Sequence, residues 1–401
     1  MWGYAPFHGA VALLVALVFG LSIAYGRVAP DPTGTLVRWD AFGTPWLDGY
    51  ARWDGGWYLQ IATAGYHFDR TTQSPIPFFP LYSLAMRHLA RLTAPIPDSA
   101  LCDPRAAVAW GIALNALAGA AAVWLLACWT SRWLGASAGR EAAITLSCYP
   151  FAFYLCGPVY SEALFLALAL GAFVALERGR PALAIALGAL ATAARPIGPA
   201  LVVGLFVAAL ERRGALERAP GALRTRWVPA RFAWRDLAVL ATAAGGIAYW
   251  LYLFRFATDE VPGWRVYVDS TSPVGWHKQH WVVWLKLEAW EQLAMWPWRG
   301  MQLVIAFHLG LTLVAYALLP AIARRCGWGA AAYTFIALLL PTVTNKDFVA
   351  MGRYCIEAFP CFAIAGAFLA GHTRWRWPVR VAGVAAMVGF ASLFARWYYV
   401  S

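Results

Sequence analysis

The sequence predicts an all-α polytopic membrane protein, and three observations predict it. Of 401 residues, 61% are hydrophobic and only 13% are charged. Apolar runs of roughly 17–25 residues, the length a helix needs to cross the hydrocarbon core, recur along the chain. Arginines gather in short segments between those runs, as a membrane protein with one positive side requires. One transmembrane domain over residues 1–401 is expected, with no soluble domain. The formal net charge of +12 would suggest nucleic acid in a soluble protein. Here it is assigned to topology and to attraction for lipid headgroups, so nucleic acid is not an expected partner.

Taken in order, His8–Tyr25 is the first span. It lacks a basic leader and a small-residue cleavage site, so it reads as a retained anchor. A long polar and aromatic segment, 26–105, follows as the first outer loop. Within it, Gly55–Tyr66 has helical spacing. Pro77–Leu92 is amphipathic and carries Arg87, His88 and Arg91, which places it in the membrane interface, a short span being the alternative. Ala106–Trp129 is the second span, Ala142–Cys156 leads back out, and Glu162–Leu176 returns. Ala182–Ala193 and Ile197–Leu210 are two short spans broken by Arg195-Pro196, since proline removes a helix donor and disfavours helix before it. Glu211–Arg235 holds seven arginines and is the clearest inner loop. Leu237–Ala257 crosses outward into 258–299, an outer loop with seven tryptophans. Met301–Ala323, Gly329–Thr342, Cys355–Leu369 and Val379–Trp397 complete about 11 spans, with the N-terminus inside and the C-terminus outside.

The seven cysteines are scattered, with neither a CxxC pair nor a Cys/His cluster, so neither a zinc site nor a disulfide framework is expected. No P-loop, no GxGxxG and no Asp-x-Asp pair is present, which removes the usual nucleotide and sugar-nucleotide sites. An enzyme of this kind would draw an activated donor from the membrane. No cofactor is assigned, no metal site is expected, and a divalent-metal requirement stays open.

The Arg-rich loops set the orientation, and that orientation brings four polar positions to one face. Asp54, in Arg52-Trp53-Asp54-Gly55-Gly56-Trp57-Tyr58, is an acid at the lipid surface or the N-cap of the helix after it. Glu162 is a second acid or a first-turn partner of its helix dipole. Arg195 is a charge inside an apolar hairpin, functional by default, and its planar fork suits a phosphate. Arg353, with Tyr354, makes a similar outer-edge pair. Trp53, Trp57, Tyr58, Phe79, Tyr160 and Tyr354 supply aromatic walls for a substrate groove. The Trp-rich loop is an interfacial belt or a lid carrying His277 and His280, without metal-ligand spacing. An acid, a basic phosphate site and an aromatic groove suit a polyprenyl-phosphate sugar donor. In that scheme Asp54 deprotonates an acceptor hydroxyl and arginine stabilises the departing phosphate. A transporter or flippase for a lipid-linked sugar is the alternative, although no internal repeat is evident. A non-catalytic scaffold fits poorly with four polar sites on one face.

The order Arg52-Trp53-Asp54, Tyr58-Leu59-Gln60-Ile61-Ala62, Gly65-Tyr66, Phe78-Phe79-Pro80, Tyr160-Ser161-Glu162-Ala163-Leu164-Phe165, Arg195 with Gly198, and Arg353-Tyr354 before Phe359-Pro360 resembles the GPI mannosyltransferase II family and its bacterial relatives. Those proteins resemble GT-C glycosyltransferases. The resemblance implies a GT-C-like bundle with juxtamembrane helices in the first outer loop and an outward active site. It implies Asp54 as the essential acid, Glu162 as a second acid, Arg195 as a phosphate-binding cation, and inverting transfer of mannose or another hexose from a polyprenyl-phosphate carrier. Two departures, Gly55-Gly56-Trp57 and Arg195-Pro196-Ile197-Gly198, separate the chain from eukaryotic members. The GPI acceptor is therefore not carried over, and the acceptor, a glycan, lipid or protein, stays open. The Arg- and Ala-rich composition points to a bacterial plasma membrane, with the active site facing the periplasm or cell exterior.

Overall fold

Helices make up nearly every element of the computed structural model, which describes residues 4–29, 45–69, 72–96, 102–218, 223, 225–270, 286–295, 300–345 and 348–400. Helix α1 (Ala5–Tyr25) is apolar on all sides and long enough to cross a membrane. After α2 (Pro45–Asp48) come α3 (Asp54–Thr63) and α4 (Pro80–Thr93), which pack together. The last carbonyls of a helix have no partner within it. Arg87 of α4 supplies one, donating from Nε to Ala62 O (2.6 Å) and from Nη2 to Ile61 O (2.5 Å). Ser83 adds a bond to Tyr58 O at 2.9 Å. With 14 residues, α4 is about 21 Å long at 1.5 Å per residue, short of the roughly 30 Å hydrocarbon core. The interfacial placement of 77–92 is the reading this length favours.

Helix α5 (Pro104–Leu134) is the longest element, 31 residues, and Asp103 caps it by accepting from the Ala106 N–H at 2.7 Å. Helix α6 (Ala136–Ser147) follows. The expected span 142–156 is corrected here: α6 stops at Ser147, and Ala152–Leu155 is a separate 3₁₀ turn. Helices α7 (Glu162–Glu177), α8 (Pro181–Thr192) and α9 (Gly198–Arg213) come next, broken between α8 and α9 at Arg195-Pro196 as expected. Within the Arg-rich inner loop the chain forms a hairpin that the sequence reading missed, β1 (Leu216–Arg218) antiparallel to β2 (Thr225–Trp227). The span expected from Leu237 begins as a 3₁₀ helix, Trp234–Ala243, and becomes α10 (Ala244–Leu253) only afterwards. Then follow α11 (Gly263–Ser270), α12 (Leu287–Ala294), α13 (Met301–Ala317), α14 (Leu319–Cys326), α15 (Trp328–Thr344), α16 (Met351–Tyr354), α17 (Phe359–Gly371) and α18 (Arg376–Ala395). The expected span from Cys355 thus starts at Phe359, with α16 standing apart from it.

Among the described residues five helical segments are long and apolar enough to span: Ala5–Tyr25, Pro104–Leu134, Asp236–Phe256, Met301–Cys326 and Thr373–Ala395. Pro181–Thr192, Trp328–Thr344 and Phe359–Gly371 are shorter apolar helices. In the bundle α5 lies between α6 and α7, α17 covers α6, α15 covers α9, and α1 pairs with α18. Interlocked rings hold its centre. Phe359 meets Trp129, Phe173 and Tyr333 at centroid distances of 5.0, 5.5 and 5.1 Å, spacings at which offset and edge-on pairs are favourable. The start of α3, the start of α7, the α8–α9 turn and the α16–α17 connection meet at one end of the bundle.

Candidate active site

Two segments of unusual backbone bring the acid and its cation together. Trp53, just before α3, has φ 54°, and Ala350, just before α16, has φ 80°. Both are left-handed values that L residues avoid and that persist where surroundings over-determine them. Tertiary contacts hold the first turn. The Asp54 N–H donates to Tyr160 Oη at 3.1 Å, and Tyr160 Oη donates to Arg52 O at 3.2 Å. Gly55 lets α3 approach the 157–160 loop, since an added Cβ would sit 3.2 Å from Val159 O. That loop is fixed from α5 by Asn115. Its amide donates to Pro158 O (2.7 Å) and Tyr160 O (3.0 Å) and accepts from the Gly157 N–H (3.1 Å).

The second turn is held by a histidine. Gly352 N–H donates to His308 Nδ1 at 2.8 Å, so His308 carries its proton on Nε2 and donates to Val400 O at 3.2 Å. Gly352 is required by the close approach: a Cβ there would fall 2.3 Å from the Phe151 ring and 2.8 Å from His308 Nδ1. The chain following α18 therefore touches both turns. Trp397 lies under the Arg52 guanidinium at 4.7 Å and edge-on to Trp53 at 5.6 Å, while Val400 holds His308.

Between these turns lies a chain of five charges. Arg353 Nη1 donates to Asp54 Oδ2 at 2.8 Å, and its Nε lies 3.5 Å from Glu162 Oε1. Arg195 Nη1 meets the same Glu162 oxygen at 2.8 Å, and its Nε meets Glu357 Oε1 at 2.5 Å. Arg195 Nη1 also donates to Ser161 Oγ at 3.1 Å, and Ser161 is bonded to Tyr58 Oη at 2.6 Å. The Tyr354 ring faces both guanidinia, at 5.8 Å from Arg195 and 5.2 Å from Arg353, and Tyr160 faces Arg353 at 5.2 Å. A buried ion is costly unless paired, and every member of this chain is ion-paired, although the Glu162 and Glu357 carboxylate oxygens have no hydrogen-bond partner among the described residues. Burial works against the Arg195 charge, but Glu162 and Glu357 together hold its pKa above the ordinary arginine value. Glu357 sits in the connection between α16 and α17, outside the spanning helices. Burial pushes its carboxyl up to about 7, against the downward pull of Arg195 and with the help of Glu162. Exposure separates the three acids. Glu162 and Glu357 are fully buried, whereas the Asp54 side chain is 29% exposed.

The structure thus brings together Asp54, Glu162, Arg195 and Arg353, with Tyr160 and Tyr354 around them. Tyr58 joins through Ser161. Two expectations change. Asp54 is the first residue of α3 rather than its cap, and its carboxylate goes to Arg353, leaving the helix start without a side-chain cap. Phe79 lies away from the charges, in a separate apolar cluster with Ile76 and Tyr249, whose ring it meets at 4.7 Å. Trp57 stacks on Phe78 at 6.2 Å, and Trp53 packs on Trp397 and Tyr399. Of the Trp-rich loop, Trp264 and Trp290 are exposed. Trp276, Trp281, Trp284, Trp296, Trp298, His277 and His280 lie outside the described residues, as do Lys346 and Asp347. Glu357, His308 and Asn115 were missed, although each is a polar residue in an apolar stretch, the signal that singled out Arg195. Among the described residues no group of three or more His, Cys, Asp or Glu is arranged to hold a metal ion.

The profile of the family described as Mannosyltransferase (PIG-V) matches residues 36–212, a segment that contains Asp54, Glu162 and Arg195 but not Arg353 or Glu357. No curated protein is significantly similar in sequence. Among solved structures, ArnT from Cupriavidus metallidurans bound to undecaprenyl phosphate superposes with a TM-score of 0.50 at 15% identity, covering 96% of this chain and 63% of that one. The archaeal oligosaccharyltransferase AglB from Archaeoglobus fulgidus, in complex with an inhibitory peptide and a dolichol-phosphate, gives a TM-score of 0.45 at 12% identity. It covers 100% of this chain and 57% of that one, so the chain spans about three fifths of the length of both structures. Over residues 36–212 the chain matches the family model described as Mannosyltransferase (PIG-V), and its fold is similar to that of ArnT.

Proposed function

We propose that this protein is a membrane glycosyltransferase that moves a mannosyl or similar hexosyl group from a polyprenyl-phosphate carrier to an acceptor hydroxyl, with inversion and with Asp54 as general base. The observation that carries the reading is the difference in exposure within the five-charge chain. Asp54 alone among its acids reaches the surface, and Arg353 fixes its carboxylate from behind. A positioned carboxylate at the edge of an apolar bundle is where an acceptor hydroxyl and a lipid-borne donor can both arrive. The family match supports the sugar, and a protein of the same fold binds undecaprenyl phosphate.

In this reaction the acceptor oxygen attacks the anomeric carbon as Asp54 takes its proton. The bond from that carbon to the phosphate oxygen breaks, and the lipid phosphate leaves with the electron pair. Arg353 and Arg195 stabilise the growing phosphate charge. Glu162 holds both guanidinia at fixed separation, which makes it a positioning acid in the ground state. Tyr160 and Tyr354 wall the cations, while Trp53, Trp57 and Tyr58 line the approach from lipid. The site would face the periplasm or cell exterior of a bacterial plasma membrane, opposite the Arg-rich loops. Membranes containing the protein, supplied with labelled polyprenyl-phosphate mannose, should transfer mannose. Asp54→Asn at matched expression should lower the rate by about 10²–10⁴-fold, the contribution typical of a general base. Equal transfer by the two proteins would remove Asp54 as the base.

A further inference from the structure

The far end of the bundle carries a cavity that the proposed reaction does not use. Counted along α7, Glu162 and Glu177 are about 22 Å apart at 1.5 Å per residue, so this is the opposite end from the five-charge chain. The cavity is about 420 Å³, and Trp129, Arg132, Trp133, Glu177, Glu211 and Arg212 are among its lining residues. That is within the roughly 300–1,000 Å³ of small-ligand sites.

Its two carboxylates are already engaged. Glu177 Oε1 accepts from the indole N–H groups of Trp129 and Trp133, both at 2.7 Å, and Arg132 Nε lies 3.4 Å from its Oε2. Glu211 accepts from the Trp328 and Gly329 N–H groups at 2.8 and 2.9 Å, capping α15. Arg132 is also tied to Glu177, donating from Nη2 to its backbone carbonyl at 3.3 Å, but stays open to solvent at 59% exposed. Arg212 is exposed and forms no ion pair with any described residue. The accessible wall is therefore cationic, beside tryptophans whose apolar rings and polar edges suit the membrane boundary. The end it occupies is the arginine-rich one, with Arg178, Arg180, Arg213, Arg324 and Arg325 near the same helix termini.

We infer that this cavity is a binding site for an anionic phospholipid. Its phosphate sits between Arg212 and Arg132, and its glycerol and upper acyl carbons lie against Trp133. Basic pockets between spanning helices at the positive side of a membrane have the charge and shape for such headgroups. A free phosphate shares the same chemistry, so the test separates the two sources. Purified full-length protein in detergent is offered phosphatidylglycerol, phosphatidylcholine and inorganic phosphate, and retained lipid is counted by native mass spectrometry. Phosphatidylglycerol should be retained about tenfold better than phosphatidylcholine. Arg212→Glu should lose that preference, and Arg212→Gln should lose part of it. The control Arg374→Glu, exposed and not a lining residue of the cavity, should keep it. Equal retention of the two lipids, an Arg212→Glu protein that binds as wild type does, or an equal loss with Arg374→Glu would each overturn the site. Displacement of the lipid by millimolar inorganic phosphate would assign the site to a soluble anion and overturn the lipid.

Discussion

Arginine does opposite jobs at the two ends of this bundle. At the end that holds Asp54, Arg195 and Arg353 are each 7% exposed and face three carboxylates. At the other end the arginines are mostly open, with Arg132 at 59% and Arg231 at 55%. Water and headgroups solvate the open ones even where the protein also supplies a carboxylate, as Glu177 does for Arg132 and Glu217 for Arg231. A buried guanidinium loses its hydration and must be given carboxylates in fixed geometry. Three acids face two cations, and the acid in excess is Glu357, whose carboxyl burial pushes up to about 7. Charge density alone points to the wrong end for chemistry. The burial of both partners, with arginines 7% exposed against acids 0% exposed, points to the right one.

The comparison breaks first at Arg195. Removing one partner of a buried pair strands the other and typically costs about 3–5 kcal/mol. Arg195→Ala strands Glu357 and leaves Glu162 with Arg353 alone, and should lower the unfolding temperature in detergent more than the loss of an exposed arginine at the open end. Adding Glu357→Gln to it should recover part of the loss, because the two residues share one network. An Arg195→Ala protein that melts with wild type would show that the acids neutralise themselves by taking up protons.

Much of this contrast was legible in the sequence. Arg clustering set the two ends, and helical spacing with an acid at the lipid surface picked out Asp54. The charge-in-lipid rule picked out Arg195. Glu357 escaped because it lies between Arg353-Tyr354 and Phe359-Pro360, a single acid inside a stretch that reads as an apolar span. His308 and Asn115 were lost in the same way inside apolar helices. The pairing itself could not be read. Asp54 and Arg353 are 299 positions apart, and no local pattern states that a carboxylate will leave its own helix start unsatisfied to reach a distant cation. The hairpin in 216–227 escaped because an Arg-rich stretch carries no apolar alternation to mark strands.

A smaller effect sharpens what the excess acid means. With its pKa raised from 4.5 to about 7, Glu357 keeps its proton in the folded protein at pH values where the unfolded chain has released it. The folded state then binds more protons than the unfolded one, so stability falls with rising pH in that interval. The contribution is complete below about pH 4.5, declines up to about pH 7 and is flat beyond. Unfolding temperature measured against pH should show that decline in wild type and lose it in Glu357→Gln. A decline of the same size in the Gln variant would assign the proton to another acid of the chain.

The smallest effect is expected at the open end. Arg231 pairs with Glu217 across the hairpin, with the two side chains 55% and 39% exposed. Exposed pairs of this kind contribute about 0–1 kcal/mol, because water solvates both partners when they separate and ordering two long side chains offsets the attraction. Arg231→Ala should therefore leave the unfolding temperature within about a degree or two of wild type, and raising the salt concentration should erase what difference remains. A loss comparable to that of Arg195→Ala would mean that the hairpin is held by its charges as tightly as the site is. The distinction between the two ends would then be one of position in the membrane and not of how their arginines are neutralised.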